Sequence, residues 1–315
     1  MKNCKSLLLV PALEERFFKK LSVIPADSVI FDLEDGIALN HKIEARKKLG
    51  EYLKKYPVKG KEVIIRINSL RSKYGKDDIK TILNYQPDCI MYPKTESCTE
   101  ILELDSIITE FEDKKKKNLN KSIEIIPTIE TTTGILNVKD ILKNSKRITG
   151  IIFGTEDLTS EMLIERKKIY ENPLLTFALC YLSIIACSNK IDLIDGVYPF
   201  VDDDSLNSLK KEAVFTHNIG AKGKIAIHPK QIPIINETFS LTENSINFIS
   251  SEVDIIINNV KKKGLTAGVV DKKRFIGFPE IKRASKIIKI LDKEGSRSNK
   301  KIENLINKVS WLTRD

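Results

Sequence analysis

Short runs of β-branched and aliphatic residues alternate along this chain with longer stretches whose apolar residues recur every three or four positions. The runs are LLLVP (7–11), SVIFDL (28–33), EVIIRIN (62–68) and CIMYPK (89–94). IEIIPTIE (123–130), ITGIIFG (148–154), KIDLIDGVY (190–198) and GKIAIH (223–228) continue the series. Near-continuous Val, Ile and Leu suit strands buried on both faces of a parallel sheet. Between them, KIEARKKLGEYLKKY places Ile43, Leu49 and Leu53 toward one side and lysines on the other. SCTEILELDSIITEFEDK opens on Ser97 with Glu100 three residues later, a capping box. Strand–helix units filling the first ~230 residues predict a closed (β/α)8 TIM barrel. A doubly wound open sheet is the alternative, but no Gly-rich dinucleotide loop follows any strand.

The pattern changes after residue 240, which divides the chain into a barrel (1–240) and a C-terminal appendage (241–315). ENSINFISSEVDIIINNVKKKG is a helix closed by lysines and a stop glycine. LTAGVVDKKRFIGFP reads as a hairpin or irregular arm, EIKRASKIIKILDK as a helix and EGSRSNKK as a flexible linker. A basic tail carrying Trp311 follows.

Charge and cysteine usage narrow the class. The net charge of +10 raises a nucleic-acid reading, but the lysines spread along helices without aromatic interleaving. The run Lys114 to Lys117 reads as a solvated loop, and an anionic small molecule or acidic carrier suits the charge better than nucleic acid. No apolar run approaches the ~20 residues of a membrane span. SLLLVPAL is too short for a signal peptide and meets charged residues at once, so a cytoplasmic protein is expected. The five cysteines form no CxxC pair, which argues against a disulfide framework or a zinc site.

Barrel active sites gather where strands end. Strand two ends in Asp32, Glu34 and Asp35, and strand three carries Arg66 and Asn68. Strand four ends in Pro93-Lys94, strand five in Glu130, and strand six in Gly154 with Glu156-Asp157 beyond. Strand seven carries Asp192 and Asp195, and strand eight ends in His228. Carboxylates are costly to bury unless paired, so these acids are expected to line one pocket. Glu130 and Asp157 close adjacent strands and can converge on one hard cation, Mg²⁺ or alternatively Mn²⁺. Arg66 is expected to grip a substrate carboxylate as a fork. Lys94 reads as a salt-bridge partner of Asp32 or Glu34 rather than a Schiff-base lysine. His228, directly before a proline, is expected to end its strand and bond to its neighbours. VDDDSLNSLKKEA looks like a calcium loop without the EF-hand glycine and final Glu, so helix capping explains it better.

At these residues the chain resembles the citrate lyase beta-subunit family, within the HpcH/HpaI aldolase and malyl-CoA lyase-like group. The resemblance is carried, in order, by LLLVPA, ADSVIFDLEDGIALNHKIEAR, IRINS, PDCIMYPKTES, IETTTGI, FGTEDL and GAKGKIAIHPKQI. It implies a TIM barrel assembled as trimers or hexamers. It implies catalysis through Arg66, Glu130 and Asp157, with Mg²⁺ held by Glu130 and Asp157. Arg66, Gly154, Thr155 and Glu156 would bind substrate, and Asp32, Glu34, Asp35 and Lys94 would support them. The implied reaction makes or breaks a C–C bond beside a thioester of coenzyme A or acyl carrier protein.

The resemblance breaks in the appendage. The family segment G-K-M-(V/I)-D-x-P carries an Asp that serves a neighbouring subunit as acid/base. Here KKRFIGFP puts Gly277 at that place, with Asp271 six residues upstream. The family's Arg-bearing helix before strand seven reads LLTFALCYLSIIACSN, without arginine.

Overall fold

The computed structural model describes residues 4–115, 121–200, 204–241, 243–270, 274–293 and 300–312. They form two compact units, Met1–Phe239 and Ser240–Asp315.

In the first unit β1 (Ser6–Pro11), β2 (Ser28–Asp32), β3 (Glu62–Arg66) and β4 (Cys89–Tyr92) are followed by β5 (Glu124–Ile129), β6 (Gly150–Phe153), β7 (Asp192–Val197) and β8 (Gly223–Ala226). All pair in parallel with their sequence neighbours, and β8 returns to β1, closing a TIM barrel. The helices are α1 (Glu15–Phe18), α2 (Lys42–Lys55), α3 (Gly75–Ile82), α4 (Cys98–Lys114), α5 (Thr132–Lys143), α6 (Glu156–Glu161), α7 (Pro173–Asn189), α8 (Ser205–Ile219) and α9 (Ile232–Phe239). The Ser97/Glu100 capping box opens α4.

Strand parity sorts the side chains. Leu7, Ile30, Ile64, Met91, Ile126, Ile152, Ile194 and Ile225 fill one interior cluster. The intervening residues, Phe31, Ile65, Ile90 and Phe153 among them, join the larger core with the helices. Two residues beyond the interior layer, the same parity brings Asp32, Arg66 and Gly154 to the mouth, and four residues beyond Ile126 it brings Glu130. The strands are shorter than the apolar runs at this end, because the rim residues leave the ladder. On α2 the buried residues are Lys42, Ala45, Leu49 and Gly50. Ile43, expected on that face, is 69% exposed.

The second unit packs α10 (Glu243–Lys263), α11 (Phe278–Lys293) and α12 (Lys300–Leu312) around Ile249, Val253, Ile281, Leu305 and Val309. β9 (Gly268–Val270) and β10 (Arg274–Ile276) make the hairpin. The expected basic tail is largely helix: Ile302, Leu305 and Val309 recur at helical spacing and are buried. Glu252, also buried, is paired with Arg274 and Arg283. Asp271 and most of the expected linker lie outside the described residues.

Candidate active site

The acids ending β2 have separate tasks. Asp32 is 1% exposed and accepts two short bonds from Arg66, Nε at 2.7 Å and Nη2 at 2.6 Å. It also takes the backbone N–H groups of Glu34 and Gly36, each at 2.8 Å. A Cβ on residue 36 would lie 2.4 Å from Asp32 Oδ2, so the turn needs glycine there. Arg66, expected to grip a substrate carboxylate as a fork, thus already commits two of its N–H groups to Asp32. The β2–β3 register sets Asp32 beside Arg66, and only the Nη1 side remains, 3.5 Å from Glu34 Oε2. Burial opposes the guanidinium's charge, but Asp32 outweighs it and raises Arg66 above its ordinary range.

Lys94 organises the remainder. Its Nζ donates to Glu34 at 2.6 Å and Asp35 at 2.8 Å and lies 3.5 Å from Asp157. The expected partner Glu34 is present, whereas Asp32 is already taken by Arg66. Lys94 has φ +45°, left-handed backbone that costs a non-glycine residue ~1–3 kcal/mol. That conformation lets its N–H donate to Glu130 Oε1 at 2.7 Å. Burial works against the ammonium, but Asp35 and Glu34 overcome it and raise Lys94. Burial pushes Glu34 up against the pull of Arg66 and Lys94. Asp35 is also opposed by burial, yet Lys94 holds it below the carboxylate range.

Glu130, 6% exposed, is pushed up to about 8, by burial first and then by the charge of Asp157, against the bond from the Lys94 N–H. A Cβ on residue 154 would sit 2.5 Å from both Glu130 Cβ and Oε2, so Gly154 is the cradle for this carboxylate. Thr128 Oγ1, two residues earlier on the same strand face, is buried without a hydrogen-bond partner among the described residues. Among the described residues, the ion pairs of Asp32, Glu34, Asp35 and Asp157 are made with Arg66 and Lys94. The described residues hold no cluster of three or more His, Cys, Asp or Glu able to bind a metal. A cation between Glu130 and Asp157 would take its other ligands from water and substrate, as Mg²⁺ does. The donor set fits that ion.

Other expected rim residues sit elsewhere. Asp192 opens β7, at the opposite end of the barrel. Asp195 points outward, where Lys224 Nζ meets it at 2.6 Å and Glu212 at 3.1 Å, all three buried. The Thr155 hydroxyl donates to Glu156 at 3.2 Å, and Arg166 Nε reaches both side chains. Asn68 Nδ2 donates to the Leu33 carbonyl and to Asp78. His228 Nδ1 accepts from the Lys230 N–H at 3.1 Å, capping the turn after β8. Asp204 immediately precedes α8 and accepts from Asn207 Nδ2 at 2.7 Å. Asp202 and Asp203 lie outside the described residues.

Three cations escaped the sequence reading. Lys42 Nζ donates to the carbonyls of Leu33 and Glu34. Arg71 donates to the Lys94 carbonyl at 3.0 Å and to Glu96 at 2.8 Å. Arg166 stands behind the Thr155–Asp157 turn. Lys42 lies within a stretch that carries the resemblance, but nothing local to any of the three separates it from surface lysines and arginines.

A family model described as HpcH/HpaI aldolase/citrate lyase matches residues 5–229. Citrate lyase subunit beta of Leuconostoc mesenteroides subsp. cremoris is 29% identical over 93% of this chain and 96% of its own length. A (3S)-malyl-CoA thioesterase of Cereibacter sphaeroides is 31% identical over 85% of this chain and 88% of its own. Among solved structures, RipC from Yersinia pestis is 27% identical, covers 78% of this chain and all of its own, and has a TM-score of 0.64. Protein CitE from Mycobacterium tuberculosis, solved with magnesium, acetoacetate and coenzyme A, covers 94% of this chain and 100% of its own. It is 20% identical, with a TM-score of 0.73.

Proposed function

The chain belongs to the HpcH/HpaI aldolase/citrate lyase family, and from that premise we propose that it is a Mg²⁺-dependent carbon–carbon lyase or aldolase of the citrate lyase beta-subunit type. Its substrate would be a carboxylic acid carried as a coenzyme A or acyl-carrier-protein thioester, and its working form a homo-oligomer, a trimer or hexamer. The observation that carries the reading is the pair Glu130 and Asp157 beside a guanidinium locked by Asp32 at one barrel mouth. Arg66 would hold the substrate's keto-acid carboxylate, exchanging its 3.5 Å approach to Glu34 for that anion. Lys94 ties Glu34 and Asp35 down and aims Glu130 through its own N–H. When bound, the cation supplies Lewis-acid polarisation of the carbonyl. Structures with Mg²⁺ and oxaloacetate or pyruvate, with a coenzyme A binding assay, test this. Ligand density away from Glu130, Asp157 and Arg66 would refute it.

Metal binding should depend on pH with a definite sign. The ion needs an ionised Glu130, which in the metal-free fold titrates at about 8. Below that, binding displaces one proton, so affinity is expected to rise about tenfold per unit toward pH ~8 and then level off. Calorimetry in buffers of differing ionisation enthalpy reads the released proton. Flat affinity from about pH 6 to about pH 8 would remove Glu130 from the metal.

A second reading, an aldolase on a free or differently conjugated keto or hydroxy acid, is favoured by Gly277. This residue precedes α11, donating its N–H to Glu280 Oε2 at 2.8 Å. It brings no side chain that could manage the proton of a thioester enolate. Its φ is outside the left-handed region, and an added Cβ would approach nothing closer than Thr266 O at 3.7 Å. Gly277→Asp should therefore fold, gaining a few tenths of a kcal/mol as a helix cap. If an acid is what thioester cleavage lacks, turnover of malyl- or citryl-coenzyme A should rise ~10²–10⁴-fold. A folded variant without that gain favours the free-acid reading. The same outcome leaves a non-catalytic metal-binding subunit as the remaining role if free keto acids are not turned over either.

A further inference from the structure

Arg166 lies between α6 and α7 with only 10% of its side chain exposed. Its Nε donates to Thr155 Oγ1 at 3.0 Å and Glu156 Oε1 at 2.9 Å, and its Nη1 donates to the Lys167 carbonyl. Its Nη2 has no hydrogen bond among the described residues and lies 3.7 Å from Glu212 Oε1. Glu212 is fixed in turn by the Ile169 N–H at 2.9 Å and by Lys224 at 3.1 Å. Lys224 continues to Asp195 at 2.6 Å. Charges therefore alternate in sign from Glu156 at the rim to the fully buried Asp195.

We propose that Arg166 is a positioning residue that fixes the Thr155–Glu156–Asp157 turn, and with it the Asp157 carboxylate, for the divalent cation; this rests on the metal reading above. α6 is only six residues long, and Asp157 occupies its first turn with a side chain 37% exposed. Little in so short a helix holds that carboxylate in place. The two residues before it are bound to a guanidinium whose far side is braced against Glu212. A planar fork can serve both sides at once, whereas a lysine presents a single point charge. Carboxylates and their supports behind a metal ligand commonly alter affinity 10–100-fold when removed.

The test uses full-length wild type, Arg166→Met and Arg166→Lys, with Mn²⁺ as a paramagnetic probe, thermal melting and amide hydrogen exchange. Arg166→Met is expected to weaken Mn²⁺ about 10–100-fold. Arg166→Lys keeps the charge facing Glu212, so it should melt like wild type yet recover little of the affinity. Wild-type affinity in folded Arg166→Met overturns the proposal, as does full recovery by lysine. If Arg166→Met does not fold, Thr155→Val with Glu156→Gln removes the anchored ends instead, and unchanged Mn²⁺ affinity there overturns it equally. Wild type that binds no Mn²⁺ refutes the metal reading. Positioning is then decided by the amides of Thr159 and Ile164, bonded to the Thr155 and Thr159 carbonyls. Faster exchange in Arg166→Lys supports it, and unchanged exchange ends it.

Discussion

Lys224→Met is expected to destabilise the barrel by ~3–5 kcal/mol, the usual effect of stranding a buried countercharge. Lys224 Nζ lies 2.6 Å from Asp195 and 3.1 Å from Glu212, and all three are sealed between the β7–β8 wall and α8. Burial raises the Asp195 carboxyl, the charge of Lys224 opposes that rise, and the neighbouring charge of Glu212 adds to it. Methionine fills the volume but leaves Asp195 and Glu212, among the described residues, with only Arg166 nearby, 3.7 Å from Glu212. Since whole domains are stable by only ~5–15 kcal/mol, soluble yield should fall as well. Urea unfolding at fixed pH reads the loss, and Lys224→Met combined with Asp195→Asn should recover part of it. A loss below ~1 kcal/mol would mean that water reaches the cluster and screens it.

Glu130→Gln and Asp157→Asn are expected to do the reverse, abolishing Mg²⁺ binding and at least ~10³-fold of turnover while the fold survives. Both are nearly isosteric, and glutamine still accepts from the Lys94 N–H. Glu130 is ionised in the unfolded chain from about pH 4.5 upward, but in the metal-free fold only above about 8. Between those values folding must take up a proton, so metal-free stability falls as pH rises through that window. Glu130→Gln removes this dependence and should melt no lower than wild type near neutral pH. Calorimetry against Mg²⁺, with melting curves on the same samples, separates the cases. Intact Mg²⁺ affinity with a sharply lowered melting temperature would make the pair structural.

The barrel was legible because buried parallel strands must be almost wholly apolar, and few other folds use such runs at this spacing. The placement of Glu130 and Asp157 at the mouth was legible for the complementary reason, both being acids at the ends of such runs. Pairing partners were not. That Asp32 claims Arg66 depends on the β2–β3 register, which no local pattern encodes. Asp195 was read onto the rim because β7 is buried on both faces, so its sequence does not tell inward from outward residues. Glu212, which shares Lys224 with it, lies on an amphipathic helix among lysines and carries no sign of being buried. The helix at the end of the chain was hidden by its lysines, although Ile302, Leu305 and Val309 keep the period.

The close fit of Gly154 under Glu130 also bears on how such a site can change over generations. At residue 154 the first carbon of any other side chain would fall 2.5 Å from the Glu130 carboxylate. It would also fall 2.5 Å from Glu130 Cβ, so a larger residue is admissible there only after residue 130 has lost its side chain or the ends of β5 and β6 have moved apart. In the reading above, shrinking Glu130 first removes a cation ligand. Either order passes through an impaired intermediate, so the two positions are expected to be epistatic and to persist or disappear together. New substrate preferences would then have to arise elsewhere around the mouth, with this corner inherited unchanged.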